Sequence, residues 1–186
     1  IEGQVNTDWK YEGTQYWIAG ANYNFNAVAP ATSGNWTKVD TTDATQTTLS
    51  FTNNGTTDLL YAYATAVGAN KNNDVVEFNF RHVLSKVKFS FTNGFDNDNA
   101  YIDVKNVKMV APSKATIDLA VENWWDNDDW QLVDAVPVTL EFGDACAKTA
   151  VGVKQVTDNE RLTIPAAATQ SYKVTFEVAL YFGDVC

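Results

Sequence analysis

Asp74 to Phe91 reads DVVEFNFRHVLSKVKFSF, and its apolar residues recur at every second position. Val76, Phe78 and Phe80 alternate with Glu77, Asn79 and Arg81; after a short break Val83, Ser85, Val87, Phe89 and Phe91 alternate with Leu84, Lys86, Lys88 and Ser90. A period of two is that of a pleated strand, which sends successive side chains to opposite faces. Each run therefore offers an aromatic and β-branched face to a core and a mostly polar face to water. The stretch predicts two strands, with Phe78, Phe80, Val87, Phe89 and Phe91 in the core of a sandwich.

The same pattern spreads outward in both directions. Tyr23, Phe25 and Ala27 alternate with Asn22, Asn24 and Asn26, predicting a strand over Tyr23 to Ala29 that Pro30 ends, because proline cannot donate to a ladder. Thr47 to Thr52 leads into Asn53-Asn54-Gly55, a turn signal. Asp58 to Ala66 is apolar on both strand faces, as an interior strand is. Downstream, Ile102 and Val104 share one face while Val107 and Met109 share the other, a phase slip that a β-bulge near Lys105-Asn106 produces. Further strands are expected over Thr116 to Val121, Val136 to Phe142 and Leu162 to Ile164, and Asp144 to Val156 has room for one or two helical turns. Tyr172 to Phe182 alternates cleanly and adds Val174, Phe176 and Val178 to the expected core. Many short strands separated by turn signals read as an all-β, antiparallel β-sandwich. The expected division is a sandwich domain over residues 1–160, with residues 161–186 either its final strands or the start of a truncated second β-domain.

The chain has 186 residues, 45% hydrophobic and 19% charged, so it can bury a core. A net charge of -10 and a pI near 4.4 oppose binding to phosphate backbones and anionic lipid, which excludes nucleic acid as the expected partner. No apolar run approaches the roughly 20 residues of a transmembrane helix. The chain starts at Ile1 without Met, as it would if its ends were cut away or a leader removed. Cys146 and Cys186, if paired, would close a loop worth roughly 4 kcal/mol in the chain-entropy model.

Chemistry-bearing constellations are few. The single histidine, His82, has no GxSxG serine or cysteine motif to work with and reads as a hydrogen-bonded residue at a strand junction. One His and two distant Cys do not make a transition-metal site. The acidic runs Asp96 to Asn99 and Asp126 to Asp129 lack the Gly and Glu of a calcium loop and read as solvated turns. In the second run Trp124, Trp125 and Trp130 flank the acids, a mix able to stack on sugar rings. Nothing fixes a glycosidase carboxyl pair or a phosphate-cradling glycine loop. No enzyme, metal or cofactor is expected. Asn35-Trp36-Thr37 and Asn54-Gly55-Thr56 fit the N-glycosylation acceptor pattern and mark surface positions.

Asp58 to Ala62 (DLLYA) followed by Val76 to Phe91 (VEFNFRHVLSKVKFSF) resembles the fimbrillin family of Bacteroidetes, which includes major and minor fimbrial subunits and related surface lipoproteins. Tyr16-Trp17, Tyr23 to Ala27 with Pro30, and Leu162 to Pro165 followed by the strand from Tyr172 resemble further family segments in the same order. The resemblance implies a transthyretin-like Greek-key sandwich, made as a lipoprotein precursor, exported through the outer membrane to the cell surface and assembled by strand exchange with other fimbrial subunits in a homo- or heteropolymer that supports adhesion. In such families a leader and first strand are cut away, which opens a groove for a partner's strand. Asp40-Thr41-Thr42 resembles the family's short O-glycosylation acceptor. Family members continue past the equivalent of Phe182 with another aromatic, glycine-containing segment, whereas this chain ends at Cys186. The alternative reading is a monomeric surface-exposed protein that binds a glycan or host ligand through Trp124, Trp125 and Trp130.

Overall fold

A computed structural model of the chain describes residues 18–30, 34–40, 47–68, 76–118, 130–165 and 170–183. In chain order its strands are β1 (Asn22–Ala29), β2 (Trp36–Asp40), β3 (Thr47–Thr52), β4 (Leu60–Val67), β5 (Arg81–His82), β6 (Ser85–Val87), β7 (Ser90–Thr92), β8 (Ala100–Ala111), β9 (Lys114–Asp118), β10 (Gln131–Leu132), β11 (Val138–Gly143), β12 (Cys146–Thr149), β13 (Lys154–Val156), β14 (Arg161–Thr163) and β15 (Lys173–Phe182). Every pairing is antiparallel, and no helix occurs among the described residues. The fold is an all-β antiparallel sandwich. The chain gathers into two compact units, Ile1–Ser33 with Leu59–His82 and Gly34–Asp58 with Val83–Cys186.

The first unit is a three-stranded sheet in the order β1-β4-β5. Tyr23, Phe25 and Ala27 pair with Ala66, Ala64 and Ala62, so bulky rings on β1 lie beside small side chains on β4. Asn22, Asn24 and Asn26 take the exposed face, as their alternation predicts, and the Tyr61 hydroxyl donates to Asn26 Oδ1. Val76 to Phe80 depart from expectation, because they form no strand. Phe78 and Phe80 are 37% and 42% exposed instead of buried. Among the described residues no strand pairs with this segment; Phe78 packs edge-on against Phe25, and Phe78 and Phe80 lie tilted against each other. Alternation gives a segment two faces, but only a neighbouring ladder makes it a strand.

The second unit holds the larger core. One sheet runs β10-β9-β3-β2 and buries Leu49, Phe51, Ala115 and Ile117. Another has β8 at its centre, with β11 and β12 along one side and β15 along the other. Opposite it lie two short pairs, β6 with β14 and β7 with β13. The core between these layers is Ile102, Val104, Val107, Met109, Leu140, Phe142 and Cys146, with Val87, Phe89, Phe91 and Val174 packed against it half-buried. Cys146 carries a free thiol, and Cys186 lies outside the described residues. The bulge expected near Lys105-Asn106 is present: Thr175 pairs with Lys108 and Glu177 with Lys105, so β8 spends one residue more than β15. Asn106 takes a positive φ of 52°, which Asn tolerates better than most residues, and the bulge returns Val107 and Met109 to the core face of Ile102 and Val104.

Residues 144–156 form β12 and β13, not the helical turns for which they had room, since β8 and β7 offer them ladders. β14 and β15, from residues 161–182, pair with β6 and β8 in this same unit. Gly55 closes the Asn53-Asn54-Gly55 turn at φ +80°, and a Cβ there would lie 2.7 Å from Leu140 Cδ2. Asn93 is buried between three segments. Its Nδ2 donates to the carbonyls of Ala100 and Thr149, both at 2.9 Å, and its Oδ1 accepts from the Phe95 N–H at 3.1 Å. Asn93→Ala strands those partners in a dry site, so urea denaturation should show a stability loss of about 2–4 kcal/mol.

Candidate functional site

β15 meets different surroundings on its two faces. Val174, Val178, Leu180 and Phe182 pair with Met109, Val104, Ile102 and Ala100 of β8, so they share the core face of that sheet. Their β8 partners are all buried, yet Phe176, Val178, Leu180 and Phe182 are 44–56% exposed. Phe176 and Val178, expected in the core, therefore lie at its uncovered margin. The cause is the opposing layer. Among the described residues it has two strands' width against the three of the β8 sheet, and it meets β15 through the rings of Phe91 and Phe95. Phe89 stacks edge-on upon Phe142 over β11 with centroids 4.8 Å apart, Phe91 meets Phe176 at 5.2 Å, and Phe95 meets Phe182 at 6.3 Å. Between those last two contacts lie Val178 and Leu180, 52% and 44% exposed.

The other face of β15 is pinned. Asp103 of β8, 7% exposed, accepts hydrogen bonds from the Lys148 N–H and from the Tyr181 hydroxyl at 2.7 Å, and Lys105 Nζ lies 3.6 Å away. One carboxylate thus ties β12 and β15 to the central strand. Lys148 takes a positive φ of 43° where its N–H meets Asp103, and its ammonium sits 5.5 Å from the Tyr101 ring centroid. The Lys148 N–H, followed by the Tyr181 hydroxyl, holds the Asp103 carboxyl below its ordinary range against the opposing effect of burial.

The remaining sequence-predicted positions do not converge on this face. His82 is exposed on β5, paired with Leu60 in the ladder. Trp124, Trp125 and the acids Asp126 to Asp129 lie outside the described residues; Trp130 is 6% exposed and packs its ring against Phe51. Asn97 closes the exposed Asp96 to Asn99 turn by accepting the Asn99 N–H. Among the described residues no three His, Cys, Asp or Glu side chains gather as metal ligands, and no helix is long and apolar enough to cross a membrane. A shallow notch of about 240 Å³ beside β12 is lined by Lys105, Asp144, Cys146, Gln155 and Asp158, but its carboxylates are engaged with the Asn106 and Asp144 N–H groups. What the described residues assemble is a half-exposed apolar face on β15 beside the buried core. Sequence reasoning found the stripe on β15 but assigned it to the interior, and the signal it lacked was the width of the facing layer.

Residues 1–182 match the fimbrillin-like family. The chain belongs to that family. No curated protein matches it. Among solved structures, a candidate cell adhesion protein from Bacteroides uniformis is similar at 21% identity with a TM-score of 0.42, over 86% of this chain and 58% of the other. The fimbrillin-like chain thus spans little more than half the length of that protein.

The depressed Asp103 carboxyl gives a pH dependence of defined sign. Because its folded pKa lies below the unfolded value of about 3.9, its stabilisation is complete above that value and is lost as pH falls through the folded pKa. Urea midpoints measured from pH 6 down to pH 2 should fall more steeply for the wild type than for Asp103→Asn below about pH 4.

Proposed function

We propose that this fimbrillin-like chain is a structural subunit or accessory protein of a cell-surface fimbria, joined to other subunits by β-strand addition and supporting adhesion. The single observation that carries the reading is the half-exposed stripe Phe176, Val178, Leu180 and Phe182, continuous with a buried core. Monomeric proteins rarely leave such a face open to water, and a partner's strand can both cover it and complete backbone hydrogen bonds at an unpaired edge. Family membership over residues 1–182 supports the same role. Surface export from a lipoprotein precursor and a transthyretin-like strand order belong to this reading. The work is binding, with no catalytic group required, and the partners are other subunits of like or different sequence.

Assembly on cells producing the full-length protein tests the reading. The wild type should give detergent-resistant ladders on gels of surface extracts. Val178→Glu with Leu180→Glu should collapse the ladder to monomer while shifting stability by less than about 1 kcal/mol, because both positions are already solvated. A ladder unchanged by these substitutions would remove β15 as the joining surface.

A further inference from the structure

We propose that Asn54 is a site of spontaneous covalent modification: its turn promotes closure of the side-chain amide to a succinimide, and so to aspartyl and isoaspartyl products, while the chain's other Asn-Gly dipeptide is preserved. The proposal is independent of the strand-addition reading. The sequence contains two such dipeptides, Asn54-Gly55 and Asn93-Gly94. Asn-Gly is reactive because glycine has no side chain to screen its peptide nitrogen from the carboxamide carbon before it. Both dipeptides share that local chemistry, and the fold sets them apart.

At Asn93 the carboxamide is locked. It is 1% exposed, its Nδ2 donates to the Ala100 and Thr149 carbonyls and its Oδ1 accepts from the Phe95 N–H. Swinging Cγ onto the Gly94 nitrogen breaks these bonds where no water replaces them. Asn54 is exposed, and its side-chain hydrogen bonds stay within its own turn. Oδ1 accepts from the Thr56 N–H at 3.0 Å and the Thr57 N–H at 2.8 Å, and Nδ2 donates to Thr57 Oγ1 at 2.8 Å. An Asn bonded to N–H groups two and three residues on is folded over the peptide that follows it, which is the direction of the Gly55 nitrogen. The same N–H groups aim at the oxygen that gains negative charge when Cγ is attacked. The obstacle lies at the nucleophile, because Gly55 is buried and its N–H donates to Asn53 Oδ1 at 2.9 Å. One bond must open here against three at Asn93, and the carbonyl under attack keeps its donors.

The reaction needs only water and hydroxide. Hydroxide takes the Gly55 amide proton, the nitrogen forms a bond to Asn54 Cγ, and the Cγ–Nδ2 bond breaks; Nδ2 leaves as ammonia after gaining a proton from water by way of the adjacent Thr57 hydroxyl. Water then opens the imide ring at either carbonyl, and each product carries one added negative charge. The products differ in their effect on the fold. An aspartyl carboxylate keeps the Thr56 and Thr57 N–H donors and binds them more strongly for its charge. An isoaspartyl linkage adds a methylene to the main chain before Gly55, whose carbonyl accepts the Leu162 N–H at 2.9 Å and whose Cβ, were there one, would lie 2.7 Å from Leu140 Cδ2. That product disturbs the contact that holds β14.

The test keeps the full chain at mildly alkaline pH, samples it over days and resolves its peptides by mass spectrometry with electron-transfer fragmentation, which separates aspartyl from isoaspartyl residues. In the folded protein, product at position 54 should accumulate at least tenfold faster than at position 93, and the same incubation in concentrated urea should bring the two rates together. A folded-state rate at 54 no greater than that at 93, or product at 54 only in urea, would overturn the proposal, since the turn would then protect Asn54. A tenfold preference for 54 that persists in urea would overturn it as well, by placing the cause in the neighbouring residues instead of the turn.

Discussion

The ladder between β8 and β15 is the constraint on which the second unit depends. β8 is bonded on both sides, to β15 along one edge and to β11 and β12 along the other, so its core face and outer face must both be satisfied in a single register. The core face is satisfied by Ile102, Val104, Val107 and Met109, all buried. Each such side chain contributes on the order of 1.5–3 kcal/mol relative to exposure. That gain is available only because the bulge at Asn106 reverses the phase midway. Without it Val107 and Met109 would point to the outer face, and half of the apolar side of β8 would be in water.

The outer face is fixed by different physics. Asp103 is a buried carboxylate on a sheet face, a position that costs free energy unless the charge is met by donors. It is met by the Lys148 N–H, the Tyr181 hydroxyl and the neighbouring Lys105 ammonium. The bonds reach to strands on either side of β8, so the network acts as a register pin: a two-residue slip of β15 would preserve its facing but carry Tyr181 about 6.7 Å away. Apolar contacts tolerate such slips better than a directed hydrogen bond does. The strand that bears the open stripe is accordingly held from behind and needs no cover in front to stay in place.

This explains which parts of the fold were legible in the sequence. The alternation at Tyr23 to Ala29 and at Tyr172 to Phe182 marked strands that form over Asn22–Ala29 and Lys173–Phe182, because period two follows from the pleat itself. The slip between Val104 and Val107 identified the bulge, since only an inserted residue reconciles the two halves. Val76 to Phe80 showed as clean an alternation and formed no strand, because pairing depends on a neighbour that local sequence does not specify. For the same reason the stripe on β15 was visible while its exposure was not: whether an apolar face is core or docking surface depends on how many strands lie opposite. Asp103 gave no signal either. An acid between Ile102 and Val104 on an alternating strand reads as a solvated residue, and its partners lie 45 and 78 residues away.

An open apolar face beside unpaired strand edges is also what aggregating proteins expose, so selectivity needs a physical account. The two requirements are separated here. The apolar stripe belongs to β15, whose opposite face carries Lys173 and Glu177, and charged side chains beside an edge discourage indiscriminate pairing. Across the sandwich β6 and β7 are only three residues each, with exposed Lys86 inside β6 and exposed Lys88 between the two, and among the described residues no strand pairs with their second edge. A peptide that merely pairs with the short edge gains few hydrogen bonds, and one that merely covers the stripe leaves its own backbone unsatisfied. Under the strand addition proposed above, short ladders and nearby charge limit what either part gains alone.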